Sequence, residues 1–204
     1  MRPFVSTWIG NCLRYAPEMT AFKYGRRGIT WRELDGRVNR LANALWGLGV
    51  RKGDKVTLMF HNCIEFVETN YAIQKLGAVP VPINYRFTPR EIVYQTENSD
   101  SVAYIFEDLW MDAVAGALPD LKKVRHYVCC RRGGGESPAC EPPETEMEWD
   151  DPAVIIYTGG TTGYPKGVVL SYGNHRALFV SQTAATPAVL AELRLPWEMV
   201  RKMG

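Results

Sequence analysis

The sequence lacks two features that would assign it quickly to a class, namely a long apolar run and a marked excess of charge of one sign. A membrane-spanning helix needs about 18 to 20 predominantly apolar residues, and no apolar run in the sequence reaches that length. The net charge of the 204 residues is +2, and the basic residues are scattered rather than gathered into the stripe that nucleic-acid-binding surfaces show. We therefore predict no membrane span and no nucleic-acid partner.

The sequence also lacks the cysteine pairs that disulfide frameworks and zinc sites require. Its five cysteines lie at positions 12, 63, 129, 130 and 140, and none of them forms a C-x-x-C pair. The first 15 residues contain only short apolar stretches, so we predict no secretory signal. These observations favour reduced thiols in a soluble, cytoplasmic protein.

Segments typical of strands alternate with segments typical of helices over residues 1–130. Thr30 and Glu33 have the spacing of a capping box ahead of apolar residues at helical spacing. Thr88 and Glu91 repeat that pattern, with proline at the first helical position. The predicted strands are KVTLMF (55–60), AVPVPI (78–83), VAYIF (102–106) and VRHYVCC (124–130). The alternation predicts an α/β fold, in which a mainly parallel sheet has flanking helices. The two prolines of AVPVPI predict that this strand lies at an edge of the sheet or is irregular.

The composition divides the chain into four predicted parts. Residues 1–130 form an α/β subdomain, and residues 131–152, which are rich in Gly, Pro and Glu, form a loop or linker. Residues 153–186 are predicted to form a strand, a loop, a second strand and a helix. Residues 187–204 are a C-terminal tail that we do not place.

The stretch YTGGTTGYPKGVVL (157–170) packs four glycines, three threonines and one lysine between two apolar runs. Glycine permits positive φ angles and a close approach of ligand to backbone, and successive N–H groups in such a turn can form an anion-binding nest. Threonine hydroxyls and a lysine ammonium add donors for phosphate oxygens. The stretch predicts a polyphosphate-binding loop, with a glycine-rich hairpin and an incidental lysine as the alternative. It is not a Walker sequence, because its lysine does not directly follow glycine.

The longer stretch DDPAVIIYTGGTTGYPKGVVLSYGN resembles the phosphate-loop signature of the adenylate-forming (AMP-forming) ligase superfamily. The family pattern is roughly Tyr-Thr-Ser-Gly-Thr-Thr-Gly-x-Pro-Lys-Gly. The sequence matches it at Tyr157, Thr158, Gly160, Thr161, Thr162, Gly163, Pro165, Lys166 and Gly167. It departs from the pattern at Gly159, where serine is usual. Two upstream segments, 29–56 and 71–92, also resemble the family, and PVPINYRFTP within the second resembles the acyl-CoA synthetase branch.

The resemblance implies the N-terminal part of the family's large domain and an ATP-dependent reaction. A carboxylic acid and Mg-ATP give an acyl-adenylate and pyrophosphate, and CoA then accepts the acyl group as a thioester. The loop is implied to bind the β- and γ-phosphates of the nucleotide. The implied donors are the hydroxyls of Thr158, Thr161 and Thr162, the backbone of Gly159, Gly160 and Gly163, and the ammonium of Lys166.

Complete members of the family are well over twice as long as this chain. Their adenine-binding loops, metal-binding glutamate, hinge and C-terminal lysine are not recognisable between Ser171 and Gly204. We therefore expect an N-terminal fragment of an acyl-CoA synthetase that is not competent alone. Two alternatives stay open. One is a non-catalytic nucleotide-binding or interaction module, whose exposed apolar surface would favour self-association. The other is an unrelated phosphate-binding protein with a convergent loop.

Outside the loop, we predict structural or solvent-exposed roles, and no catalytic role, for the histidines and acidic residues that could serve in a site. His61 lies at a predicted strand end with no partner carboxylate apparent, and Asn62 beside it is a candidate helix cap. His175, near the start of the last helix, is predicted to be solvated. Asp150 and Asp151, at a junction between loop and strand, are predicted to be solvated charges. No residue is assigned as a catalytic acid or base, or as a metal ligand.

Overall fold

The structure is a computed structural model that describes residues 4–131, 145–159 and 164–184. These residues contain six α-helices and eight strands. The helices are α1 (Phe4–Tyr15), α2 (Trp31–Gly47), α3 (Ile64–Lys75), α4 (Pro89–Asn98), α5 (Met111–Ala117) and α6 (Tyr172–Ala184). The strands are β1 (Thr20–Tyr24), β2 (Arg27–Thr30), β3 (Lys55–Met59), β4 (Val79–Pro82), β5 (Ser101–Glu107), β6 (His126–Cys130), β7 (Pro152–Tyr157) and β8 (Gly167–Ser171). None of the described helices is long and apolar enough to cross a membrane.

The centre of the fold is a four-stranded parallel sheet in the order β4-β3-β5-β6. Its central strands are buried on both faces, as parallel sheets require. Leu58 and Ile105 point into a core cluster shared with α1, α2 and α3. Met59 and Tyr104, one residue away along the same strands, belong to a second cluster shared with α4 and α5. The predicted α/β fold with a parallel sheet and flanking helices is confirmed.

The strand β4 is an edge strand of this parallel sheet, as its two prolines predicted. Pro80 and Pro82 lie opposite Val56 and Leu58 of β3. Proline has no N–H to donate, so a strand that contains it is suited to an edge. On its other side β4 lies next to β7, and Ile155 of β7 joins the same apolar cluster as the valines of β4. The position of β7 beside the sheet is therefore set by packing.

Both predicted capping boxes are present. At the start of α2, the Thr30 N–H donates to the Glu33 carboxylate at 2.8 Å, and the Glu33 N–H donates to the Thr30 hydroxyl at 3.2 Å. At the start of α4, the Thr88 N–H donates to the Glu91 carboxylate at 2.8 Å. The predicted cap of α3 is wrong, because Cys63 and not Asn62 is its N-cap, and Cys63 makes no side-chain capping bond.

Two elements near the start of the chain were not predicted. The helix α1 buries Val5, Ile9 and Cys12, whose spacing of four and three residues is a helical signal. The strands β1 and β2 form an antiparallel hairpin whose turn contains Gly25 at φ 59°. Glycine adopts that left-handed conformation without steric cost.

Part of the predicted linker is packed against the rest of the fold. In the described segment 145–151, the Met147 side chain is only 1% exposed. The Asp151 carboxylate forms an ion pair with the Lys52 ammonium at 2.7 Å, so Asp151 is not the solvated charge that we predicted. Residues 132–144 of the predicted linker and the tail 187–204 lie outside the described residues. The four-part division of the chain stays a prediction.

Candidate functional site

The predicted phosphate loop lies at the tip of an antiparallel hairpin. Strands β7 and β8 pair with Tyr157 opposite Gly167, so the loop between them leaves the hairpin at one end. A Cβ on Gly167 would lie 3.0 Å from the Ile155 side chain and 3.3 Å from the Tyr157 ring. Glycine at this position therefore permits the close approach of the two strands.

Hydrogen bonds between Thr158 and Lys166 close the base of the loop. The Thr158 N–H donates to the Lys166 carbonyl at 3.0 Å, and the Thr158 hydroxyl lies 3.3 Å from the same oxygen. The hydroxyl that we predicted as a phosphate donor is thus placed to donate to the backbone in this arrangement. Its predicted role in binding phosphate would require the hydroxyl to turn away from this carbonyl.

The other predicted loop residues have open surroundings or lie outside the described residues. The structure places Gly159 at the surface, with no atom within 4 Å of where a Cβ would be. Gly160, Thr161, Thr162 and Gly163 lie outside the described residues, so their donor roles stay predictions. Lys166 is exposed, and its ammonium has no hydrogen-bond or ion-pair partner within the described part of the chain. That ammonium is available to an anion.

The loop also contacts the helix α4. The Tyr157 hydroxyl donates to the Asn98 side-chain oxygen at 2.7 Å. The Tyr94 hydroxyl donates to the Pro165 carbonyl at 3.0 Å. Burial, with a smaller contribution from the neighbouring phenol of Tyr94, raises the pKa of Tyr157 to about 12, so its hydroxyl remains a donor at neutral pH. Sequence reasoning missed these contacts, which join residues about 60 and 70 positions apart and which no local pattern indicates.

His175 of α6 is half-buried rather than solvated, which corrects the prediction. It lies on the wall of a mainly apolar cavity of about 450 Å³, whose lining includes Trp8, Phe66, Tyr71 and Ile156. Burial lowers the pKa of His175 below its ordinary value of 6.5, since the charged imidazole loses hydration.

The lowered pKa of His175 predicts a stability that depends on pH. As the pH falls from about 7.5 to about 5.5, the unfolded chain takes up a proton at this position before the folded chain does, so the free energy of unfolding decreases. We expect the urea unfolding midpoint to fall over this range, and to fall less in the His175→Gln variant. Identical pH dependences for the two proteins would contradict the prediction.

His61 has the carboxylate partner that sequence reasoning did not find. Its Nδ1 lies 2.9 Å from a carboxylate oxygen of Glu107, whose side chain is 2% exposed. The His61 ring also packs on Tyr85, at 4.3 Å between ring centroids, and on Trp110, at 4.9 Å. The two partners are 46 residues apart in the chain and meet because β3 and β5 are neighbours.

The His61–Glu107 pair lies at the carboxyl ends of the parallel strands, and the base of the loop lies toward their amino ends. His61 follows the carboxyl end of β3, and Glu107 is the last residue of β5. Asn98, which contacts the base of the loop, comes shortly before the first residue of β5. His61 is therefore not part of the candidate phosphate site. Among the described residues, no group of three His, Cys, Asp or Glu side chains is placed to hold a metal ion.

Comparisons with known proteins identify the family of the chain. The model of the AMP-binding enzyme family matches residues 11–195. A 3-oxocholest-4-en-26-oate–CoA ligase of Rhodococcus rhodochrous is 36% identical over 179 residues, which cover 81% of this chain and 32% of the relative. A feruloyl-CoA synthase of an Amycolatopsis species is 35% identical over 172 residues, which cover 83% of this chain and 34% of the relative. The chain thus spans about one third of the length of the curated relatives that it matches.

The likeness extends to solved structures. The fatty acyl CoA synthetase of Mycobacterium tuberculosis superposes with a TM-score of 0.77 at 26% identity, over 88% of this chain and 37% of that one. The matched parallel sheet and flanking helices correspond to the N-terminal domain of adenylate-forming ligases. Because the family model covers most of the chain and the relatives are CoA ligases, the chain belongs to the AMP-binding enzyme family, in the acyl-CoA synthetase branch of the adenylate-forming ligases.

Proposed function

We propose that this chain contributes the phosphate-binding loop of an ATP-dependent acyl-CoA synthetase. The reaction joins a carboxylic acid to ATP to give an acyl-adenylate and pyrophosphate, and CoA then displaces AMP to form a thioester. One observation carries the proposal. A hairpin presents TGGTTGYPKG between Tyr157 and Val168, and the ammonium of Lys166 in that segment is unpaired within the described residues. Because the chain spans about one third of its relatives, we assign to it the phosphate-binding part of the reaction and not complete turnover.

The chemistry of the loop suits a pyrophosphate leaving group. When the acid attacks the α-phosphate of ATP, negative charge develops on the departing pyrophosphate, and donors that are already in place lower the barrier. The Lys166 ammonium supplies a compact positive charge for those oxygens. Backbone N–H groups of the glycines would supply neutral donors. Magnesium, which the use of ATP implies, has no ligand set among the described residues, and we assign it no step.

The proposal is tested by calorimetric titration of the 204-residue chain with pyrophosphate and with ATP. We expect both ligands to bind, and each to displace the other, because both occupy the loop through a diphosphate group. Sodium sulfate at matched ionic strength serves as the control for screening by salt. A chain that binds neither ligand more tightly than sulfate would refute the proposal.

We also propose a cytoplasmic location, because of the state of the cysteines. The four cysteines among the described residues, Cys12, Cys63, Cys129 and Cys130, are free thiols. Free thiols are typical of a reducing compartment. Burial raises the pKa of Cys12 and of Cys63 to about 11, so neither thiol is ionised at neutral pH.

A non-catalytic nucleotide-binding or interaction module is a second candidate, and exposed apolar side chains favour it. Ile156 of β7 and Val168 and Val169 of β8 are 46%, 44% and 55% exposed. Neighbouring exposed apolar side chains mark interaction surfaces. If these exposed side chains of the β7–β8 hairpin mediate self-association, the mass measured by light scattering should rise with protein concentration. A monomer mass across a wide range of concentrations would count against this candidate.

A further inference from the structure

Two hydrogen bonds, one from helix α4 and one from Thr158 at the start of the glycine-rich stretch, restrain the backbone on both sides of Lys166. The Pro165 carbonyl accepts from the Tyr94 hydroxyl of α4 at 3.0 Å. The Lys166 carbonyl accepts from the Thr158 N–H at 3.0 Å. A peptide group is planar, so a bond to its carbonyl restrains the orientation of the whole group. The peptide groups before and after the Cα of Lys166 are therefore both restrained, which narrows the range of directions in which its side chain leaves the backbone.

Further contacts of the same kind bring the base of the loop onto α4. The Tyr157 hydroxyl donates to the side-chain oxygen of Asn98 at 2.7 Å and lies 3.3 Å from the Gln95 carbonyl. The Tyr164 ring, at the other end of the loop, packs on the Tyr94 ring with 5.2 Å between centroids. The described residues on both sides of the loop, Tyr157 on one side and Tyr164 and Pro165 on the other, therefore contact the second half of α4.

The helix α4 is itself fixed at both ends, so it can serve as a rigid support. Its first turn is closed by the capping box of Thr88 and Glu91. At its other end, the Lys123 ammonium donates to the Glu97 carbonyl at 2.9 Å and forms an ion pair with Asp100 at 2.6 Å. A cation at a helix C-terminus also interacts favourably with the helix dipole. The inner face of the helix is buried in the core.

From this geometry we infer that α4 positions the phosphate loop, and that Tyr94 and Asn98 are positioning residues for phosphate binding. The inference rests on the proposed function of the loop. A lysine side chain loses much rotational freedom when it binds a ligand, and a backbone that is already oriented reduces that cost. Neither side chain needs to touch the nucleotide for this effect. Each acts through the backbone from which Lys166 extends or through the strand that precedes it.

The test compares Tyr94→Phe with wild type in the 204-residue chain. The variant keeps the ring contact with Tyr164 and removes only the hydrogen bond to Pro165. We expect pyrophosphate to bind about three- to tenfold more weakly, which is the range for loss of one neutral hydrogen bond. Asn98→Ala removes the acceptor of the Tyr157 hydroxyl at an exposed position and should have an effect of similar size. The matched control is Tyr127→Phe, because Tyr127 lies on β6, the edge strand opposite β4. This variant should bind pyrophosphate as wild type does.

A second measurement separates positioning from a general loss of stability. In Tyr94→Phe we expect faster hydrogen–deuterium exchange in peptides that cover residues 158–170, and unchanged exchange in peptides that cover α4. Faster exchange in both regions would mean that the hydroxyl stabilises the helix, which would overturn the inference. Unchanged pyrophosphate affinity in both variants would also overturn it. If the wild-type chain binds no pyrophosphate, the proposed function fails, and the exchange measurement still decides whether Tyr94 orders the loop.

Discussion

Replacing Lys166 with alanine should weaken the binding of pyrophosphate and of ATP at least tenfold. The Lys166 ammonium is exposed and has no partner among the described residues, so it can meet a phosphate without first breaking an ion pair. A hydrogen bond between charged groups contributes about 1.5 to 3 kcal/mol. A loss of about 1.4 kcal/mol corresponds to a tenfold change in affinity. The affinities can be measured by calorimetric titration at fixed ionic strength.

Two variants serve as controls for this substitution. Lys23→Ala removes the same charge from an exposed position on β1, so it tests whether net charge alone affects binding. Lys166→Arg keeps the charge but replaces a compact ammonium by a planar guanidinium, and it should retain part of the affinity. Equal affinities for wild type and Lys166→Ala would refute the assignment of this lysine as the phosphate cation.

Replacing Gly77 with alanine should lower the free energy of unfolding by about 2 to 5 kcal/mol, from two additive causes. Gly77 has φ +67°, a left-handed conformation that costs about 1 to 2 kcal/mol for an alanine. Its added Cβ would lie 2.5 Å from the Met147 sulfur and 3.0 Å from the Lys52 side chain. Met147 is buried and cannot move aside without disturbing its neighbours, and such overpacking costs about 1 to 3 kcal/mol. Urea denaturation measures the effect.

The two causes can be separated with variants that this chain offers. Gly25 has a similar φ of +59° but no atom within 4 Å of its virtual Cβ. Gly25→Ala should therefore show only the conformational cost, about 1 to 2 kcal/mol. Adding Met147→Ala to Gly77→Ala should relieve the clash, so the double variant should lose less than the sum of its single substitutions. An equal loss in Gly77→Ala and Gly25→Ala would mean that the segment 145–151 does not pack tightly against this turn.

The structural features that were predicted correctly from the sequence depend on local signals. Thr30 with Glu33 and Thr88 with Glu91 form their capping boxes because each pair spans one helical turn and needs no distant partner. Pro80 predicted an edge strand because a missing N–H is a property of the residue itself. The hairpin that carries the loop follows from two apolar runs joined by glycines.

What the sequence did not predict depends on partners that are distant along the chain. Glu107 reaches His61 only because β3 and β5 are neighbours in the sheet. Tyr94 reaches Pro165 across 71 positions because β7 lies beside β4 and thus near α4. Strand order decides both contacts, and strand order is not encoded in any local pattern. The helix α1 was missed for a different reason, since Gly10 and Asn11 interrupt an otherwise helical spacing.

The closure of the loop by Thr158 and Lys166 bears on how this region can change by insertion and deletion. The bond between them ties the number of loop residues to the register that places Tyr157 opposite Gly167. A substitution inside the loop preserves that number. An inserted or deleted residue either changes the length of chain that must close between Thr158 and Lys166 or shifts β8 by one residue, which would turn Val168 and Val169 to the opposite faces of the hairpin. In evolution and in engineering alike, the length of this loop should therefore be constrained more strictly than its composition.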